Sequence, residues 1–161
     1  MSNNQLDKEF THHFNEECFF LCAQFLYQFQ LPIFQEVIER FSTFTEPSST
    51  ESELEDLKLS FQDFLYLKGV DLEEFLQKNI LLLFFYTLRN TKTINQQVAK
   101  VSSSESKINK VDFAIISLAK TLAEVSALDR TQVINYAINS SKKFGHEKNY
   151  KFVNAICDKI I

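Results

Sequence analysis

The sequence predicts an all-α protein. Three observations carry this: apolar residues recur every three or four positions along most of the chain, no run alternates with period two for long enough to make a strand, and only 2 glycines and 2 prolines punctuate 161 residues. A chain of this length can bury a core without disulfides or metals. The 17 phenylalanines without a tryptophan, alongside many Ile, Lys and Asn, read as the codon bias of an AT-rich genome and not as chemistry.

The first helix is expected over residues 10–30, "FTHHFNEECFFLCAQFLYQFQ". Phe14, Cys18, Leu21, Cys22, Phe25 and Phe29 form one stripe at helical spacing, and Phe19, Ala23, Leu26 and Tyr27 form a second beside it. A helix apolar on most sides sits centrally in a bundle or is shared with a second subunit. Pro32 ends it, since the residue before proline is pushed out of helical conformation, and a second helix is expected from Pro32 to about Phe44. "TEPSSTESELED" reads as a polar acidic loop, with helix resuming from Leu54 to Leu67 and interrupted at Gly69. Asp71 with Glu74 three residues on predicts a capping box opening a helix that carries Leu72, Phe75, Leu76, Ile80, Leu83, Phe84 and Leu88 and runs on toward Lys100. "SSSESK" (Ser102 to Lys107) is a second break, after which Ile108, Val111, Ile115, Leu118, Leu122 and Val125 define another helix. Asp129 or Thr131 caps the next, which buries Val133, Ile134, Ala137, Ile138 and Phe144 and closes at Gly145. Asn149 is expected to cap a last helix that buries Phe152, Val153, Ile156, Cys157 and Ile160. The chain reads as a single domain, residues 1–161, with an N-terminal helical half (1–101) and a C-terminal one (107–161).

Charge is unevenly spread. Residues 1–75 hold 4 basic and 15 acidic side chains, while residues 130–161 hold 6 basic and 2 acidic, within an overall net charge of −4. Such a gradient steers an anionic partner toward the C-terminal end. There Lys142, Lys143, His146, Lys148 and Lys151 cluster around one turn, beside the N-terminal end of the last helix, whose free N–H groups favour an anion. Tyr150 adds a ring on which a base can stack. Lysines at a helix end also serve solubility, so residue types alone leave both readings open.

Most other chemistry finds no support. The start, "MSNNQLDKEF", lacks the basic-then-apolar pattern of a signal peptide, and the longest apolar run, "ILLLFFY", is too short to span a bilayer. A cytoplasmic protein without membrane contact is expected. Three cysteines argue against a disulfide framework. Cys18 and Cys22, one helical turn apart near His12 and His13, are read as buried apolar residues and not as metal ligands. There is no glycine-rich phosphate loop and no serine with a positioned base, so neither an enzyme nor a cofactor is expected.

The order of residues at the C-terminus adds what charge cannot. "VINYAINSSKKFG" followed by "HEKNYKFVNAICDKI" resembles the C-terminal signature of the NusB family, roughly I-N-E-A-x-x-x-A-K-x-F-G and then K-F-V-N-G-x-L-D-K. Ile134, Asn135, Ala137, Lys142, Phe144, Gly145, Lys151, Phe152, Val153, Asn154, Asp158 and Lys159 match in order. "AQFLYQFQL" (Ala23 to Leu31) is similar to the family's A-x-Q-x-L-Y-x-x-Q-L on its first helix. The resemblance implies a fold of two small antiparallel helical bundles forming one compact domain. It also implies a factor of transcription antitermination and ribosomal RNA synthesis that binds boxA-like single-stranded RNA together with a NusE-type ribosomal protein. On that reading Lys142, Lys143, Lys148 and Lys151 hold phosphates, Tyr27 and Tyr150 stack on bases, and His146 belongs to the same RNA-binding set.

The contact surface departs from the family. Asn15, Glu16, Glu17 and Phe19 stand where the family has an arginine-rich start to its first helix. Within "ISLAKTLA" (Ile116 to Ala123) the family's arginine and glutamate are replaced by Ser117 and Leu122; its I-N-E-A glutamate is Tyr136, and its F-V-N-G glycine is Ala155. Fewer cations and added carboxylates weaken the counterion-release part of RNA affinity. The expectation is therefore RNA binding of weakened or altered specificity. The rival reading is a NusB-fold interaction module that has lost RNA binding, with the first helix as a homodimer contact.

Overall fold

The computed structural model describes residues 5–29, 51–102, 108–144 and 149–161, with the backbone alone for 51–53. The expected second helix, most of the Ser102–Lys107 break, the closure at Gly145, and both His146 and Lys148 lie outside the described residues. Among those described there are eight helices: α1 (Phe10–His13), α2 (Glu16–Phe29), α3 (Glu51–Lys68), α4 (Glu74–Arg89), α5 (Thr91–Val101), α6 (Lys110–Val125), α7 (Arg130–Lys143) and α8 (Asn149–Ile160). No strand occurs among the described residues, as the periodicity predicts. None of their helices is long and apolar enough to cross a membrane.

The first expected helix is in fact two. The Asn15 side chain accepts the Cys18 N–H at 2.9 Å and so caps α2, while Phe14 turns to extended backbone and drops its ring into the core. A short polar side chain that bonds the backbone ahead of it favours a helix start over helix continuation. Glu16 and Glu17 then occupy the first turn of α2, where carboxylates oppose the helix dipole.

The Gly69 interruption is a complete helix stop. Gly69 has φ +68°, its N–H donates to the Tyr66 carbonyl at 3.1 Å, and the Val70 N–H reaches back to Leu65 at 3.0 Å. This is the left-handed closure that glycine adopts without a Cβ penalty. The expected Asp71 cap does not form. Val70 is still closing α3 and Leu72 packs against the core, so the N-cap position falls to Glu73 and α4 begins at Glu74. Gln77 Nε2 instead donates to the Leu72 carbonyl at 2.8 Å.

The helix expected to run to Lys100 bends at Asn90, which separates α4 from α5. The Asn90 N–H still donates to Tyr86 and its carbonyl still accepts from Ile94, so helical bonds run through the junction residue itself. α6 starts behind Asn109, whose side-chain oxygen accepts the Asp112 N–H at 2.8 Å.

α6 is the centre of the molecule. It packs against α2, α4, α5, α7 and α8, and every residue from Ala114 to Ala119 is buried. On one side a phenylalanine cluster joins α2, α3 and α4: the Phe25 ring lies 5.1 Å from Phe61, 5.6 Å from Phe64 and 5.0 Å from Phe84. On the other side α7 and α8 lay Val133, Ala137, Val153, Ile156 and Cys157 against α6. α8 is fixed at both ends. Asn149 Nδ2 donates to Asp112 at its start, and at its end Lys120 Nζ donates to the Ile160 carbonyl while Arg130 Nη2 donates to the Asp158 carbonyl at 2.9 Å. The cations satisfy carbonyls that a helix end otherwise leaves without partners.

Candidate nucleic-acid interface

The C-terminal end of α7, the start of α8 and the outer edge of α2 bring most of the described candidate residues onto two patches. In the first, Lys142 Nζ lies 4.7 Å from the centroid of the Tyr150 ring. Lys142 is exposed, Tyr150 is half-buried, and Lys151 is exposed on the next position of α8. A cation held against a ring places a phosphate-binding charge beside a stacking platform. No ion pair is formed by Lys142 or Lys151 among the described residues.

The second patch differs. Lys143 Nζ lies 5.1 Å over the Phe20 ring and 3.9 Å from Glu16 Oε2. The other oxygen of that carboxylate, Oε1, accepts from Asn139 Nδ2. Phe20 meets Phe144 edge-on at 5.1 Å, and Tyr27 approaches the same Phe144 ring at 6.5 Å. Tyr27 is therefore half-buried against the end of α7, joined to the Lys143 patch through Phe144 and not to the Tyr150 ring.

Asn139 and Phe20 are members of this patch that residue types did not single out. Asn139 stands one helical turn before Lys143, and side chains four apart on a helix share a face. That spacing is the signal by which it can be found. Phe20 carries no such mark, because its neighbours Phe19 and Phe25 are ordinary core residues.

The N-terminal end of α8 also meets an internal anion. Asp112 is buried, and its Oδ2 accepts from Asn109 Nδ2 at 3.1 Å and from Asn149 Nδ2 at 3.3 Å. Asn149 is the first residue of α8, and its side-chain amide makes a bridge from α8 to the first turn of α6.

Three departures from the family pattern, at Tyr136, Ser117 and Leu122, are absorbed by packing, whereas Asn15, Glu17 and Ala155 are exposed. Tyr136 is buried, with its ring 6.2 Å from Phe14 and 5.9 Å from Phe19, and its hydroxyl accepts from Gln132 Nε2 at 2.9 Å. Burial pushes its phenol above the ordinary range. Ser117 and Leu122 are also fully buried, so neither position can present a charge to a ligand.

The described residues offer no assembled catalytic set. Burial raises the thiols of Cys18 and Cys22, and pushes Cys157 up to about 12, which keeps all three protonated and poor nucleophiles. Ser140 and Ser141 are buried with no hydrogen-bond partner for either hydroxyl. His12 and His13 are exposed while Cys18 and Cys22 are buried, and no group of three or more His, Cys, Asp or Glu among the described residues is placed to hold a metal.

The family model described as the NusB family matches residues 33–161. The chain belongs to the NusB family. It is 30% identical over 113 residues to the transcription antitermination protein NusB of Mannheimia succiniciproducens, covering 69% of this chain and 76% of that protein. To the protein of the same name from Pseudoalteromonas atlantica it is 30% identical over 114 residues, 70% of this chain and 78% of the relative. No solved structure matches the chain. The NusB family is a family of transcription antitermination factors, and the all-α architecture of this member agrees with it.

Proposed function

We infer that this NusB-family member binds single-stranded RNA through the Lys142–Tyr150–Lys151 patch, as a transcription antitermination factor that works with a ribosomal protein of the NusE type. The observation that carries the reading is the Lys142 ammonium 4.7 Å over the Tyr150 ring, on an exposed surface where no carboxylate among the described residues pairs with it. The ring and the charge together suit a nucleotide better than a bare phosphate. His146 and Lys148 are proposed as further RNA contacts, and Tyr27 as a stacking ring on the separate Lys143 patch. Affinity is weakened relative to an arginine-rich member, because the α2 edge offers Glu16 and Glu17 in place of cations.

The rival reading, a homodimer through the first helix, draws less support. Cys18, Phe19, Cys22, Phe25 and Leu26 of α2 are buried within their own chain, which leaves chiefly its half-buried flank for a second copy.

Fluorescence anisotropy with a boxA-like single-stranded RNA, with and without the ribosomal protein, tests the proposal. Lys142→Ala and Tyr150→Ala are expected to weaken binding, and Lys142→Ala to flatten the slope of log K against log salt by about 0.7, the value of one single-strand phosphate contact. Absence of binding at low salt with the partner present sinks the reading.

A further inference from the structure

We propose that Glu16 is an internal competitor for the anion on this face: its carboxylate takes up the donors of Asn139 and Lys143 that a phosphate otherwise engages, and so restrains polyanion binding. This rests on the RNA-binding reading and deepens it. Asn139 and Lys143 are one turn apart on α7, and their donors converge on a single group from α2, one on each carboxylate oxygen. Two donors meeting two oxygens of one anion is also how a phosphate is held. Lys143 is confined further by the Phe20 ring 5.1 Å beneath it.

The restraint is reversible by its exposure. The Lys143 and Glu16 side chains retain 42% and 38% of their accessibility, so their attraction is screened and exchanges with solvent ions. A nucleic-acid phosphate can displace Glu16, but it does so against a carboxylate already in place. Lys143 thus contributes less counterion release than its neighbour Lys142.

Glu17 provides the comparison. It occupies the same first turn of α2 and gains the same dipole stabilisation, yet it is exposed and makes neither contact with α7. Glu16→Gln keeps the shape and an acceptor for Asn139 while removing the charge that holds Lys143. Glu17→Gln removes an equal charge without freeing a donor.

The test titrates wild type, Glu16→Gln, Glu17→Gln and the double variant Glu16→Gln/Lys143→Ala with two probes, boxA-like RNA and inorganic pyrophosphate. Anisotropy follows the RNA, and the side-chain amide resonance of Asn139 follows both. At about 50 mM salt Glu16→Gln is expected to bind RNA on the order of fivefold more tightly, with a salt slope steeper by about 0.7. Glu17→Gln should gain clearly less, and the double variant should lose the gain. Equal gains for Glu16→Gln and Glu17→Gln, or a gain that persists without Lys143, overturn the proposal even if wild type binds RNA. If pyrophosphate shifts the Asn139 resonance in Glu16→Gln and not in wild type while RNA binds neither, the restraint stands and the RNA-binding reading falls. Silence of both probes in every variant overturns both.

Discussion

The two sides of α6 are held together by different physics. On the α2–α3–α4 side Phe25 touches Phe29, Phe61, Phe64 and Phe84, and Phe61 also meets Phe64 and Phe84. On the α7–α8 side Val133, Ala137, Val153, Ile156 and Cys157 are buried without an aromatic hub, and the ends of α8 are tied by single directional contacts: Asn149 to Asp112, Lys120 to Ile160, Arg130 to Asp158. Apolar contacts are many, weak and interchangeable, whereas a hydrogen bond to a buried carboxylate has one partner and one geometry. The first side therefore tolerates variation in any one ring better than loss of its hub. The second depends on particular atoms.

Removing the hub is the strongest challenge to that contrast. Phe25→Ala is expected to cost about 3–5 kcal/mol by urea denaturation, whereas Phe25→Leu, which keeps most of the volume, should cost markedly less. If the two cost the same, the cluster is not organised around this ring. Asp112→Ala comes next, at about 1–3 kcal/mol, because it removes a buried carboxylate that accepts from Asn109 and Asn149 in a part-buried setting. Amide exchange of α8 should rise with it while that of α4 does not, which separates the two sides directly.

The smallest effect is one of pH. The Cys157 thiol, on α8, is pushed up from an ordinary 9.0 to about 12 by burial, aided by the Asp158 carboxylate and opposed by Arg130. Folded protein then keeps a proton that unfolded protein releases. The stabilisation is complete below pH 9 and disappears as pH climbs toward 12, amounting to about 1 kcal/mol lost by pH 10. Cys157→Ala should flatten that part of the decline in urea midpoint between pH 8 and 10. An unchanged profile means that the thiol is not what titrates.

The fold was legible from the sequence wherever many residues voted together. The stripe Ile115, Leu118, Leu122 and Val125 defines α6, and the order of matches from Ile134 to Lys159 points to the family that the comparisons establish. It was illegible where one local bond decides. Nothing in the apolar pattern separates α1 from α2, because the break comes from the Asn15 side chain choosing the Cys18 N–H. Likewise Asp71 and Glu74 spell a capping box, but the backbone around them is already committed to ending α3. The candidate face shows the same division. The sequence lists Lys142 and Lys143 as equals, and only the fold shows that one faces a ring and the other a ring and a carboxylate. Charge type is a property of a residue, but availability depends on what the rest of the chain brings to it.

The clasps at both ends of α8 carry a consequence for recognition. A helix tied to α6 at its start and to α6 and α7 at its finish cannot roll about its own axis without breaking one of those ties. Tyr150 and Lys151 accordingly keep one azimuth, and the ordering cost of their backbone has been met during folding. On the proposed RNA-binding reading, the strand meets a surface shaped in advance there, and selectivity rests on fit more than on adaptation.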